Sequence, residues 1–133
     1  VLDFHEKPIT FGEVRKAVGK PIGQNTIAAK LLAQRKPSDK SLNDISKRVR
    51  GRDNCFSQRI DWDDDVASTN VSGAQSYRGY DGMQYCAGDK INIQTFPQDY
   101  DFCGQEVNFI TGMSVPPVMM AQVASEVYRQ WLK

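Results

Sequence analysis

An α+β fold, with short N-terminal helices, an irregular β-rich middle and a C-terminal helix, is predicted by three features of the 133 residues. Capping residues and apolar spacings of 3 and 4 mark helices before residue 50. From Cys55 the pattern shortens to extended pieces and loops rich in Ser, Gly, Asn and Tyr. Residues 117–132 then return to helical period.

Thr10 and Glu13 form a Thr-x-x-Glu capping box, in which each side chain satisfies the other residue's free backbone N–H; with Val14, Ala17 and Val18 it predicts a short helix over 8–18. Residues 26–34 combine high helix propensity with apolar residues at 27, 28, 31 and 32, predicting a second helix that stops before Pro37. Behind Ser41, the spacing of Leu42, Ile45 and Val49 predicts a third, very basic at its C-terminal end. Phe56, Gln58, Ile60 and Trp62 alternate as a strand running into a turn at Asp63-Asp64-Asp65. Three consecutive carboxylates point different ways and lack the spacing of a calcium loop, so no metal is expected there. Residues 66–85 have no period and read as loops with one or two irregular strands, and 90–94 are too short to assign. Tyr77, Tyr80 and Tyr85 read as packing residues rather than a base-stacking platform. Pro116 and Pro117 suit the first turn of the last helix. Its Val118, Met119, Val123, Val127 and Trp131 repeat at helical spacing and need an apolar partner, with Met119 and Met120 as core filler.

Composition narrows the function classes. With 40% apolar and 25% charged residues the chain is globular in character, one domain or one lobe of a larger protein. No apolar run nears the roughly 18 residues of a membrane span, and no signal-peptide pattern opens the chain, so a cytoplasmic protein is expected. Cys55, Cys86 and Cys103 are odd in number and widely spaced, which predicts reduced thiols. His5 is the single histidine, too little for a His-based metal site or nucleophile pair. Residues 1–60 hold 13 Lys and Arg against 6 Asp and Glu, residues 61–133 hold 4 against 10, and the halves therefore carry about +7 and −6. Such asymmetry implies a polyanion partner, or attraction between the halves.

Ile93-Gln94-Thr95-Phe96-Pro97-Gln98-Asp99-Tyr100-Asp101-Phe102 resembles the second half of the ninth shared motif of DNA cytosine-5 methyltransferases, a Leu-Gln-x-Phe-Pro core followed by an Asp-Tyr-x-Phe-like segment. Gly112-Met113-Ser114-Val115-Pro116-Pro117 is similar to their tenth motif, Gly-Asn-(Ala or Ser)-Val-Pro, with the closing helix after it. The order and separation of the two motifs carry the resemblance, which directly covers residues 84–133; residues 1–83 fall where the family places its target-recognition region. Ala67-Ser68-Thr69 is a weak counterpart of a Pro-Thr-Ile-like segment. There are departures. The ninth motif usually opens Arg-Leu-Thr-x-Arg-Glu, and of Gln84, Tyr85, Cys86, Ala87, Gly88 and Asp89 only the acidic position is kept. Met113 replaces the tenth motif's Asn, removing an amide.

The resemblance implies an enzyme in which a thiolate adds to carbon 6 of a flipped cytosine and the methyl of S-adenosylmethionine goes to carbon 5. None of the three cysteines follows a proline, and neither Phe-x-Gly-x-Gly nor Glu-Asn-Val is present, so this chain holds no catalytic residue and is expected to be inactive alone. It implies instead a C-terminal fragment whose last helix packs on the Rossmann-like catalytic domain, with Gly112 and Ser114 on the cofactor side. The other implied partner is double-stranded DNA. Lys47, Arg48, Arg50, Arg52 and Arg59 suit phosphate contacts, and Gln75 and Arg78, in the 72–80 loop, suit base edges. Phe96 and Pro97 read as the anchor of the turn that returns the chain from the recognition region. The basic run is equally the solvated end of a helix. A free-standing, non-catalytic DNA-binding module is the alternative. An unrelated α+β protein is a third reading, favoured if residues 112–133 are not a loop followed by a helix packed on an apolar surface. Without its partner lobe, that helix is expected to leave the chain self-associating or marginally stable.

Overall fold

The computed structural model describes residues 4, 6–53, 58–73 and 75–132. Six α-helices run in chain order among them: α1 (Phe11–Val14), α2 (Ile27–Leu32), α3 (Leu42–Arg50), α4 (Ala87–Ile93), α5 (Val107–Met113) and α6 (Pro117–Val127). A π-helical turn, Tyr128–Leu132, extends α6. Between α3 and α4 lie β1 (Ile60–Asp61) and β2 (Tyr77–Arg78), paired in parallel with Ile60 opposite Tyr77 and Asp61 opposite Arg78. The fold is α+β with little β. The sequence predicts a β-rich middle, but its strands are two residues long, and a belt of isolated bridges (Lys20 to Gln84, Gln84 to Tyr77, Arg59 to Ser41) supplies the rest of the pairing. The predicted alternation at Phe56 lies outside the described residues.

The helix starts are set by their caps. Thr26 accepts the N–H of Ala29 at 3.2 Å and Ser41 that of Asp44 at 3.2 Å, while Gly51 closes α3 in the left-handed conformation, φ 65°. The Thr10–Glu13 box forms, with Glu13 Oε2 2.6 Å from the Thr10 nitrogen, yet α1 stops at Val14 rather than continuing to Val18. Tertiary bonds end it. Arg15 turns extended to fork onto Asp63 at 2.7 and 2.8 Å, and the Lys16 N–H is drawn to Asp89 at 2.7 Å. The acidic turn itself is also used: the carbonyls of Asp65 and Asp63 accept the N–H groups of Phe11 and Gly12.

The core lies between α2, α3 and the strands: Leu31, Leu32, Leu42, Ile45, Ile60 and Tyr77, with Ile22, Ala28 and Trp62 against it. Each aliphatic side chain buried there stabilises the fold by about 1.5–3 kcal/mol. Phe11, fully buried, stacks on Tyr85 with ring centroids 4.9 Å apart, joining α1 to the approach to α4. Tyr77 and Tyr85 are therefore packing residues, whereas Tyr80 is exposed with the Arg15 guanidinium 4.7 Å from its ring centre. The last helix departs from this. Nothing on α6 is buried, and Met119 and Met120, read as core filler, are exposed because no element among the described residues covers them.

Gly79 sits under the Trp62 indole, whose Nε1–H is tied to the Asp39 carbonyl at 2.9 Å; a Cβ at Gly79 would lie 2.3 Å from the ring. Gly79→Ala is predicted to destabilise the chain by about 1–3 kcal/mol in urea unfolding. Gly23→Ala, whose Cβ would meet nothing nearer than 3.5 Å, leaves the midpoint near that of the parent chain.

Candidate functional site

The two motif-like segments meet in space. At the end of α4, Gln94 donates its side-chain amide to the Thr111 carbonyl at 2.5 Å, and Thr95, held at φ 56°, accepts the Val118 N–H on its hydroxyl at 3.1 Å. One side chain thus grips the last turn of α5 and its neighbour the first turn of α6. Gly112 is a glycine for a packing reason: a Cβ there would lie 2.1 Å from the Ser72 nitrogen, so the 71–72 backbone rests directly on α5. Asn70 strengthens that contact by donating to the Thr111 hydroxyl at 2.8 Å. Ser114 is half-buried and donates to the Thr111 carbonyl at 3.1 Å, and its hydroxyl oxygen accepts no hydrogen bond among the described residues. Met113 is exposed. Phe96, Tyr100 and Phe102 cluster with centroids 4.8–5.7 Å apart and anchor the turn at Pro97. Gly112 and Met113 end α5 rather than open a loop, 114–116 form the link, and α6 follows with no buried side chain among the described residues. That is the arrangement expected of an unrelated α+β protein if no further domain covers the helix.

A polar hub ties this region to the strands. Asp61, buried on β1, accepts the Tyr85 hydroxyl and, at 2.5 Å, that of Ser68. Burial, reinforced by the Asp61 charge, pushes the Tyr85 hydroxyl far above its usual range. Arg78, expected at a base edge, is fully buried: its guanidinium pairs with Asp81 at 2.9 Å and stands 3.7 Å from Asp89, while Nε and Nη1 have no hydrogen-bond partner among the described residues. It holds the fold from inside and presents nothing to a groove. Its position directly after Tyr77, itself buried on β2, gives the sequence no sign of this, because period-two alternation would send it outward.

The other expected DNA contacts divide. Lys47 is exposed and paired with Asp53 at 2.9 Å; that bond raises its ammonium above the usual lysine value. Arg48 reaches Asp39 at 2.6 Å and the Gln34 carbonyl at 2.6 Å, closing α3 onto the α2 turn, and so is engaged in the fold. Arg50 and Arg52 are exposed, and neither forms an ion pair among the described residues. Arg59 is exposed at a cavity of about 660 Å³, where Lys40 and Asp65 neutralise one another at 2.5 Å. Gln75 lines a separate cleft of about 430 Å³ with Lys20, Gln84, Lys90 and Asn108. Two lysines that the sequence does not single out thus border a residue that it does. Lys20 lies where no motif points, and Lys90 in a segment too short to assign.

Cys86 and Cys103 are free thiols, and Cys55 and His5 lie outside the described residues. Among the described residues no group of three or more His, Cys, Asp and Glu side chains is placed to hold a metal ion, and no helix is long and apolar enough to cross a membrane. Comparison with protein-family models, with curated proteins and with solved structures finds no match to this chain.

Because Tyr85 keeps its proton in the folded state to higher pH than in the unfolded chain, its contribution is complete below the unfolded value near 10 and declines above it. Unfolding free energy is predicted to fall from about pH 10 upward, by up to about 1.4 kcal/mol per pH unit for this group. Tyr85→Phe, followed by urea titrations at several alkaline pH values, should flatten the slope; Tyr77, also raised by burial, supplies a residual.

Proposed function

We propose that this chain is the C-terminal target-recognition part of a DNA (cytosine-5-)-methyltransferase, the enzyme that transfers methyl from S-adenosylmethionine to carbon 5 of cytosine in DNA. The observation that carries the reading is the pairing of the two motif-like segments, in family order, with Gln94 and Thr95 of the first bonded to the chain on either side of 112–117 in the second. That bracing gives both segments a reason to travel together in one protein. The chemistry belongs to a catalytic domain that brings the Pro-Cys nucleophile and most of the cofactor pocket. This chain contributes two surfaces. One is the side of Gly112 and Ser114, where a hydroxyl that accepts no hydrogen bond among the described residues faces the cofactor's methionine end. The other is a DNA face led by Arg50, Arg52 and Arg59, with Lys47 competing against its tie to Asp53. The exposed apolar side of α6 and its π-helical extension, with Val118, Met119 and Trp131, is the docking face for the catalytic domain.

Two measurements test this. Arg50→Ala with Arg52→Ala is expected to weaken duplex DNA binding nearly equally for all sequences and to lower the slope of log K against log salt by about 0.9 for each phosphate no longer neutralised. Unchanged affinity and slope would remove both from the interface. By calorimetry the chain alone should give no detectable heat with S-adenosylmethionine, since most of the pocket is elsewhere; micromolar binding refutes the division of labour.

A further inference from the structure

The cleft beside Gln75 has an electrostatic character found nowhere else among the described cavities. Lys20 and Lys90 both line it, with the amides of Gln75, Gln84 and Asn108 around them. Lys90 is 8% exposed and its ammonium donates to Asn108 Oδ1 alone, so two of its three N–H donors have no acceptor among the described residues. Neither lysine forms an ion pair among those residues, in contrast to Lys40 at the larger cavity, which Asp65 neutralises. Glu106 is the one acidic residue on the lining. Two ammonium groups against one carboxylate leave a local charge of about +1.

A buried cation beside a second cation is unfavourable unless an anion joins them. Burial lowers the Lys90 ammonium below its usual value; Glu106 opposes the shift and Lys20 adds to it. The group that best completes the cleft carries a single negative charge and several acceptor oxygens. A phosphodiester has both, and Lys, Asn and Gln side chains are its usual partners at a nucleic-acid backbone. We propose that the cleft lined by Lys20, Lys90, Gln75 and Asn108 is a subsite for one phosphodiester of a nucleic-acid strand. It rests on the DNA-binding reading only for the source of that phosphate. It also gives Gln75 a different job from base recognition: its amide completes the phosphate's hydrogen bonds, while its Oε1 stays with the Tyr77 hydroxyl at 3.3 Å.

The test uses the full chain and a short duplex of random sequence, with binding followed by fluorescence anisotropy across a range of salt. Lys20→Gln changes an exposed side chain whose backbone alone pairs with Gln84, and should weaken binding and lower the salt slope by about 0.9. Lys90→Met, which keeps the volume, should do the same. Glu106→Gln should tighten binding, an effect that damaged folding does not produce. Unchanged slopes in both lysine variants, with duplex binding intact, overturn the subsite and leave the DNA reading standing. Should the parent chain bind no duplex, the DNA reading falls and inorganic phosphate, compared with chloride at equal ionic strength, decides the subsite through the Lys90 side-chain NMR signals. A saturable shift that disappears in Lys20→Gln upholds it, and no shift removes it.

Discussion

Asp89 has no solvent exposure, and three parts of the molecule meet on its carboxylate. One oxygen accepts the Cys86 N–H at 2.9 Å and starts α4; the other accepts the Lys16 N–H at 2.7 Å and pins the segment after α1. The Arg78 guanidinium, 3.7 Å away, supplies the countercharge. Taking a carboxylate out of water costs several kcal/mol unless hydrogen bonds and a cation replace the solvent, and here all three partners come from different elements. Losing the carboxylate would therefore release the first turn of α4, the N-terminal segment and Arg78 together. Since Gln94 and Thr95 follow α4, the brace onto α5 and α6 takes its orientation from this one buried group.

The opposite charges of the two halves meet at two ion pairs among the described residues. Arg15 forks onto Asp63 with both partners partly buried, Lys40 meets Asp65, and the Lys16 backbone meets Asp89. An exposed pair contributes at most about 1 kcal/mol, so the forked Arg15 contact is the stronger link between the halves. Among the described residues Arg15 and Lys40 are the cations of the basic half paired with the acidic half, while Lys47 and Arg48 pair within their own. What stays available to a polyanion is scattered: Arg50 and Arg52 beyond the core helices, Arg59 on the belt, and Lys20 with Lys90 in a cleft.

Local chemistry was readable and tertiary consequence was not. Thr10, Thr26, Ser41 and Pro117 mark helix starts because a cap or an N-terminal proline acts through its nearest neighbours. The early end of α1 depends on Asp63 and Asp89, 48 and 73 residues away from their partners, which no local pattern encodes. α4 is built on Ala-Gly-Asp-Lys-Ile-Asn-Ile, poor in helix formers, and forms because Asp89 closes a capping box with Cys86. Of the expected site residues, Gly112 and Ser114 fall beside the brace, Arg78 is inside and Arg48 is engaged, since burial of a charged side chain is decided by partners remote in sequence.

The terminal helix is joined to the body through a short loop and the Thr95 hydroxyl, with no buried side chain along its length. In thermodynamic terms it is its own unit of local opening: its backbone amides should exchange with solvent far ahead of those of α3, whose helix is locked by Leu42 and Ile45. A second body that covers the helix would change this without altering the fold beneath it, converting a separately melting segment into part of the global transition.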